Sequence, residues 1–230
     1  MTEPTQFLLF GSAHLTVLAV TLLAGLGISR ARPATGISAI AWLIGLLLLG
    51  LALLKPVLYV AIYDNPWNRS LPLDLCRINE LLCVYLLLRR SYRTFEIAYF
   101  LSMAGSLSAL LMPDLQQGFP DPRFVTFFLS HALAVLAALY AVFGYGFRPT
   151  LRSLGLIVLF LGVYTLLIAN VNLLLDANYL FLRSKPEGAS VLDYLGPWPY
   201  YVIGLIGIAV AACVLCYLPF AVRSASRSAG

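Results

Sequence analysis

Long runs of Leu, Ile, Val, Ala and Phe alternate along the chain with short stretches that collect the charges, prolines and glycines. Seven apolar runs stand out, at roughly 7–28, 38–60, 72–88, 95–112, 124–145, 152–175 and 198–220. A helix rising about 1.5 Å per residue needs about 20 apolar residues to cross a bilayer, and these runs meet or approach that length. The third and fourth are the shortest, as tilted or partly re-entrant segments would be. No internal repeat is visible. The pattern predicts an all-α fold, a polytopic membrane helical bundle of about seven transmembrane helices, with residues 1–230 forming a single integral membrane domain.

Composition strengthens this picture. Of the 230 residues, 61% are hydrophobic and 11% charged, and mean hydropathy is +0.89, so the solvent of most side chains must be lipid. The first run lacks a basic leader and a small-residue cleavage site, and is expected to be a retained helix and not a signal peptide. Cys76, Cys83, Cys213 and Cys216 all fall in predicted helices, so neither a disulfide framework nor a metal site is expected, and no cofactor is called for. The net charge of +5 does not point to nucleic acid, because the bases sit in small groups between apolar runs.

Those groups set an orientation. Arg30, Arg32, Arg89, Arg90, Arg93, Arg148, Arg152, Arg223 and Arg227 fall in one set of alternate connections, whereas Arg69, Arg123, Arg183 and Lys185 share the other with Glu3, Asp64, Asp114, Asp121, Asp176, Glu187 and Asp193. By the positive-inside rule the N-terminus is expected outside and the C-terminus in the cytoplasm.

With helices alternating in direction, the unusual polar residues share the outer half. These are His14, Lys55, Asp74, Cys76, Arg77, Asn79, Glu80, Ser130, His131, Asn170, Asn172, Asp176, Asn178, Tyr179, Lys185 and Trp198. A charge at membrane depth costs about 2.5–3.5 kcal/mol on insertion scales, so Lys55, Asp74, Arg77 and Glu80 are expected to face partners or one wet, outward-facing cavity. Cys76, Asn79, Glu80 and Cys83 share a face of the third helix. Cys76 stands near the positive end of that helix beside Arg77, which favours its thiolate. His131 enters at similar depth, so a Cys–His pair is geometrically open. The plainer roles are a packed thiol, histidines bonded between helices, an ion pair of Glu80 with Lys55 or Arg77, and an interfacial aromatic belt at Trp198, Tyr200 and Tyr201. No serine-hydrolase elbow, zinc-protease motif or phosphate loop is present, and the seventh helix has no retinal-binding lysine.

Four stretches carry a likeness: Phe10-Gly-Ser-Ala-His14-Leu15, Leu71-Pro-Leu-Asp-Leu-Cys76, Ser130-His131, and Asn178-Tyr179 through Lys185-Pro186 to Leu192-Asp-Tyr-Leu-Gly-Pro-Trp-Pro-Tyr-Tyr201. Together they resemble the YwaF-like bacterial integral membrane family and, more distantly, the animal transmembrane protein 164 cysteine acyltransferases. The resemblance implies Cys76 as an acyl-accepting nucleophile, His131 as its general base, and membrane lipids, phospholipid and lysophospholipid among them, as partners. It also implies a multi-pass protein of the bacterial inner membrane. Members of the family often carry histidine where this chain has Asp74.

Two functions follow as expectations. One is a lipid acyltransferase or transacylase using Cys76 and His131 near the outer leaflet, with Asn79, Asn170 or Asn178 as oxyanion donors. The alternative is a seven-helix transporter or receptor holding a small polar or anionic ligand in the same cavity, with Lys55, Arg77 and Lys185 as countercharges. A structural subunit of a membrane complex is a third. Sequence leaves the oligomeric state open.

Overall fold

The computed structural model describes residues 6–30, 36–63, 66–186 and 191–228. Of the residues that set the expected orientation, Glu3, Arg32, Asp64 and Glu187 lie outside the described residues, as do the side chains of Arg69, Arg223 and Arg227.

Among the described residues, seven principal helices run up and down the bundle. They are α1 (Ser12–Ser29), α2 (Ala39–Ala61), α3 (Leu75–Arg89), α4 (Tyr92–Leu111), α5 (Pro122–Phe143), α6 (Leu151–Leu175) and α7 (Tyr200–Ser228). No strand occurs among the described residues. Six of the helices are long and apolar enough to cross a membrane, and α3 is not. Pro72 and an extended Asp74 (ψ 145°) delay its start to Leu75. Its 15 residues then rise only about 22 Å, short of the roughly 30 Å of hydrocarbon. The expected seventh span is therefore a short helix held by its neighbours.

Helix ends follow local chemistry. Ser38 caps α2 and Ser91 caps α4, each through its hydroxyl oxygen. Asp121 caps α5 ahead of Pro122 at the first helical position, and Thr150 and Ser153 form a reciprocal capping box on α6. Helix α1 begins later than the apolar run, because Phe10 adopts φ 59° and Phe7 N–H donates to the Gln116 carbonyl at 2.8 Å. Helix α4 widens into a π-helical turn at Leu101–Ser106.

Helix α5 is the central post. Its alanines Ala132, Ala134, Ala137, Ala138 and Ala141 are buried, and such small side chains let α1, α2, α3 and α4 approach closely. Helices α6 and α7 leave most of their apolar surface exposed, including Leu166, Leu173, Leu174, Ile203 and Leu215, which only lipid or a partner could cover. One end of the bundle holds Arg30, Arg89, Arg90, Arg148 and Arg152 and is called the arginine end. The described connecting residues 62–63, 66–74, 112–121, 176–186 and 191–199 make the acidic end. There Tyr63 donates to Asp121, Asn68 to the Leu175 carbonyl at the end of α6, and Trp198 to the Leu182 carbonyl within its own connection.

Candidate functional site

The approach to α3 is pinned from outside its own helix. Tyr179 Oη donates to the Asn68 carbonyl at 2.8 Å and accepts Leu71 N–H at 3.1 Å. Burial raises the Tyr179 phenol pKa from its ordinary value, so the hydroxyl stays neutral and serves both bonds. Tyr164 Oη donates to the Leu73 carbonyl at 2.8 Å, and Arg77 Nη1 to the Ser70 carbonyl at 2.7 Å. The Arg77 guanidinium also lies over the Tyr59 ring, 5.1 Å from its centroid. These bonds hold 68–74 and therefore place the first turn of α3, where Cys76 is half-buried.

Asp74 occupies the N-cap position without making a side-chain cap, and its carboxylate lies 3.8 Å from Arg77 Nε. The Arg77 and Ile78 amides reach the Asp74 carbonyl. Among the described residues the Leu75 and Cys76 amides make no hydrogen bond. Two donors thus remain open at the positive end of α3, beside the thiol.

Deeper in the bundle, Lys55 of α2 forms a buried ion pair with Glu80 of α3. Its ammonium also donates to Ser130 Oγ at 3.3 Å on α5. Ser130 Oγ donates in turn to the Phe127 carbonyl at 3.1 Å, which accepts a second bond from His131 Nδ1 at 2.7 Å. A carbonyl can only accept, so His131 carries its proton on Nδ1 and exposes a bare lone pair on Nε2. That Nε2, and Glu80 Oε2, are the two buried side-chain atoms without a hydrogen-bond partner among the described residues. Both are acceptors. A partner for either must donate a hydrogen. Burial pushes the Cys76 thiol pKa up to about 12, with Asp74 and Glu80 adding to the rise and Lys55 and Arg77 opposing it. The helix end and Arg77 therefore do not give the favoured thiolate that the sequence suggested, and the thiol makes no hydrogen bond to His131 Nε2.

Other residues expected at this site lie elsewhere. His14 is fully satisfied: Nδ1 accepts Phe10 N–H at 3.0 Å and Nε2 donates to the Leu110 carbonyl at 2.8 Å, within a cage of Phe7, Phe10 and Phe128. Asn79 turns toward the π turn, donating to Ser102 Oγ at 3.0 Å and Ser106 Oγ at 3.4 Å, and its carbonyl faces the Cys83 thiol. Asn170 lies on the exposed face of α6, donating to the Leu166 carbonyl at 2.7 Å. Asn178 is bonded to Ser184, and Arg183 to Asp176 at 2.7 Å. Lys185 lies 3.5 Å from Asp193 and over the Tyr201 ring, and Trp198 Nε1 donates to the Leu182 carbonyl at 3.1 Å. The amides of all three asparagines named as oxyanion donors are therefore engaged by the protein itself.

Two hollows stand out, and neither is lined by Cys76, Lys55, Glu80 or His131. An apolar cleft of ≈ 580 Å³ runs between α1 and α5, lined by Thr16, Val17, Val20 and Phe124 with Phe128, Leu129 and Ala132, the last two flanking His131 along α5. A polar hollow of ≈ 290 Å³ lies at the acidic end among Asp176, Asn178, Arg183 and Ser184. The residues that sequence reasoning missed are the pins, Tyr164 above all, and the two open amides. An unused N–H leaves no mark in a sequence, although a helix start at Pro-x-Asp-x-Cys hints at one.

The sequence profile of the TMEM164 family matches residues 1–217. No curated protein and no solved structure matches the chain.

Proposed function

The chain belongs to the TMEM164 family, it is an all-helical multi-pass membrane protein, and from that premise we propose that it is a lipid acyltransferase or transacylase with Cys76 as nucleophile and His131 as general base. The observation that carries this is the buried, unpartnered Nε2 of His131, held as a base by the Phe127 carbonyl. A buried acceptor left empty costs about 1–3 kcal/mol, which a purely structural histidine such as His14 avoids by bonding both nitrogens.

The reaction runs in two steps. Cys76 gives its proton to His131 Nε2, and the thiolate attacks the ester carbonyl of a phospholipid. The carbon–sulfur bond forms, the ester carbon–oxygen bond breaks, and the proton passes to the departing lysolipid oxygen. In the second step a lysolipid hydroxyl, or water, gives its proton to Nε2 and attacks the thioester. The new carbon–oxygen bond forms, the carbon–sulfur bond breaks, and Nε2 returns the proton to the sulfur. The open amides of Leu75 and Cys76 receive the oxyanion in both steps, since fixed donors at a helix N-terminus stabilise charge that develops in the transition state. The cleft between α1 and α5 takes an acyl chain along its apolar wall. Asp74 stays paired with Arg77 and takes no proton in this scheme.

The acidic end faces the non-cytoplasmic side, because Arg30, Arg89, Arg90, Arg93, Arg148 and Arg152 all belong to the opposite end. The substrates then come from the outer leaflet of the cell membrane. Purified protein in vesicles containing phospholipid and labelled lysophospholipid tests the proposal. Wild type transfers acyl groups and Cys76→Ser does not; full transfer by Cys76→Ser would overturn it.

A further inference from the structure

A buried ion pair is a weak device for stability, since desolvating two ions offsets most of their attraction and apolar replacements are often neutral or better. Lys55 and Glu80 are both buried and come from different helices. Their placement serves something else. Glu80 stands one turn beyond Cys76 on the same face of α3, and Lys55 reaches the same thiol electrostatically from α2. The ammonium cannot swing away, because Ser130 holds it, and Ser130 shares the Phe127 carbonyl with His131. One continuous chain of bonds therefore links the ion pair to the imidazole.

The charged and titratable groups around Cys76 come from every packed element. Asp74, Arg77 and Glu80 come from its own helix and cap, and Lys55 from α2. Tyr59 lies under Arg77, while Tyr164 and Tyr179 stand near Asp74. Asp74 and Arg77 form the looser pair, with the Asp74 side chain 46% exposed against 2% for Glu80. Beneath the larger effect of burial, Asp74 opposes the thiolate more than Glu80 does, and Lys55 favours it more than Arg77 does.

We infer that Lys55 and Glu80, ion-paired beside the face of α3 that carries Cys76, are positioning residues that tune the reactivity of that thiol. This rests on the proposed nucleophilic role for its use, but the coupling is a property of the thiol and is measured without any lipid substrate.

The test is the pH dependence of N-ethylmaleimide addition to Cys76 in the full chain in nanodiscs, read by peptide mass spectrometry. The thiolate is the reacting form, so the midpoint reports its stability. Glu80→Gln keeps an acceptor for Lys55 and removes the opposing charge, and it lowers the midpoint by about one unit, with about tenfold faster labelling below it. Adding Lys55→Gln to Glu80→Gln raises the midpoint again, and Cys216 on α7 labels at an unchanged rate in all three proteins. Identical midpoints, or slower labelling in Glu80→Gln, would overturn the inference. Should Glu80→Gln not fold, Lys55→Arg keeps the wild-type midpoint and Lys55→Gln raises it, and equal midpoints for those two would overturn the inference equally. Coupling together with full transfer by Cys76→Ser would sink the proposed function alone. Transfer through Cys76 with identical midpoints would sink the coupling alone.

Discussion

His131 and Phe127 lie one turn apart on α5, and the 2.7 Å bond from Nδ1 to the Phe127 carbonyl leaves Nε2 bare inside the bundle. His131→Gln removes that base and keeps a polar side chain. Acyl transfer falls about 10²–10⁴-fold, the range general-base catalysis supplies, while thermal unfolding moves little. Transfer within twofold of wild type would show that Nε2 does not act.

His14 gives the opposite result. Both of its nitrogens bridge α1 to Leu110 and Phe10, so His14→Phe leaves a buried carbonyl and amide unpaired. Stability falls by about 1–3 kcal/mol, and transfer per folded molecule is unchanged. Denaturant or thermal unfolding in detergent, set beside the transfer assay, separates the two.

Tyr179→Phe cuts the bonds to Asn68 and Leu71 and lets the approach to α3 drift. A displacement near 1 Å at a reacting group can cost about 10²-fold in rate. Transfer drops more than stability does, and proteolytic nicking between 66 and 74 increases. Unaltered transfer would mean that Tyr164 and Arg77 suffice to place Cys76.

Asn79→Leu leaves Ser102 and Ser106 without their shared partner at the π turn. The expected loss is about 1–3 kcal/mol of stability with Cys76 labelling intact, since Asn79 points toward α4 and not toward the thiol. A selective loss of transfer would instead place Asn79 at the oxyanion.

The apolar runs were legible because lipid demands continuous hydrophobic length. Partnering was not. His14 and His131 look alike as lone histidines on apolar helices, and what separates them is a carbonyl at Leu110, which no spacing rule connects to residue 14. Lys55 and Glu80 invited pairing as rare buried charges, whereas Asn79 and Asn170 looked like free donors until the π turn and the exposed face of α6 claimed them. The shortness of α3 was half visible in Pro72 and Asp74, but the pins that make a 15-residue helix tenable come from Tyr164 and Tyr179, about ninety residues or more away.

The proposed mechanism passes through an acyl-cysteine, which peptide mass spectrometry of the wild-type protein after incubation with phospholipid and no acceptor detects. An acyl-thioester on Cys76, released by neutral hydroxylamine and absent in Cys76→Ser, is the result the mechanism predicts. Transfer of acyl groups with Cys76 unmodified, or with the acyl group on another residue, would contradict it.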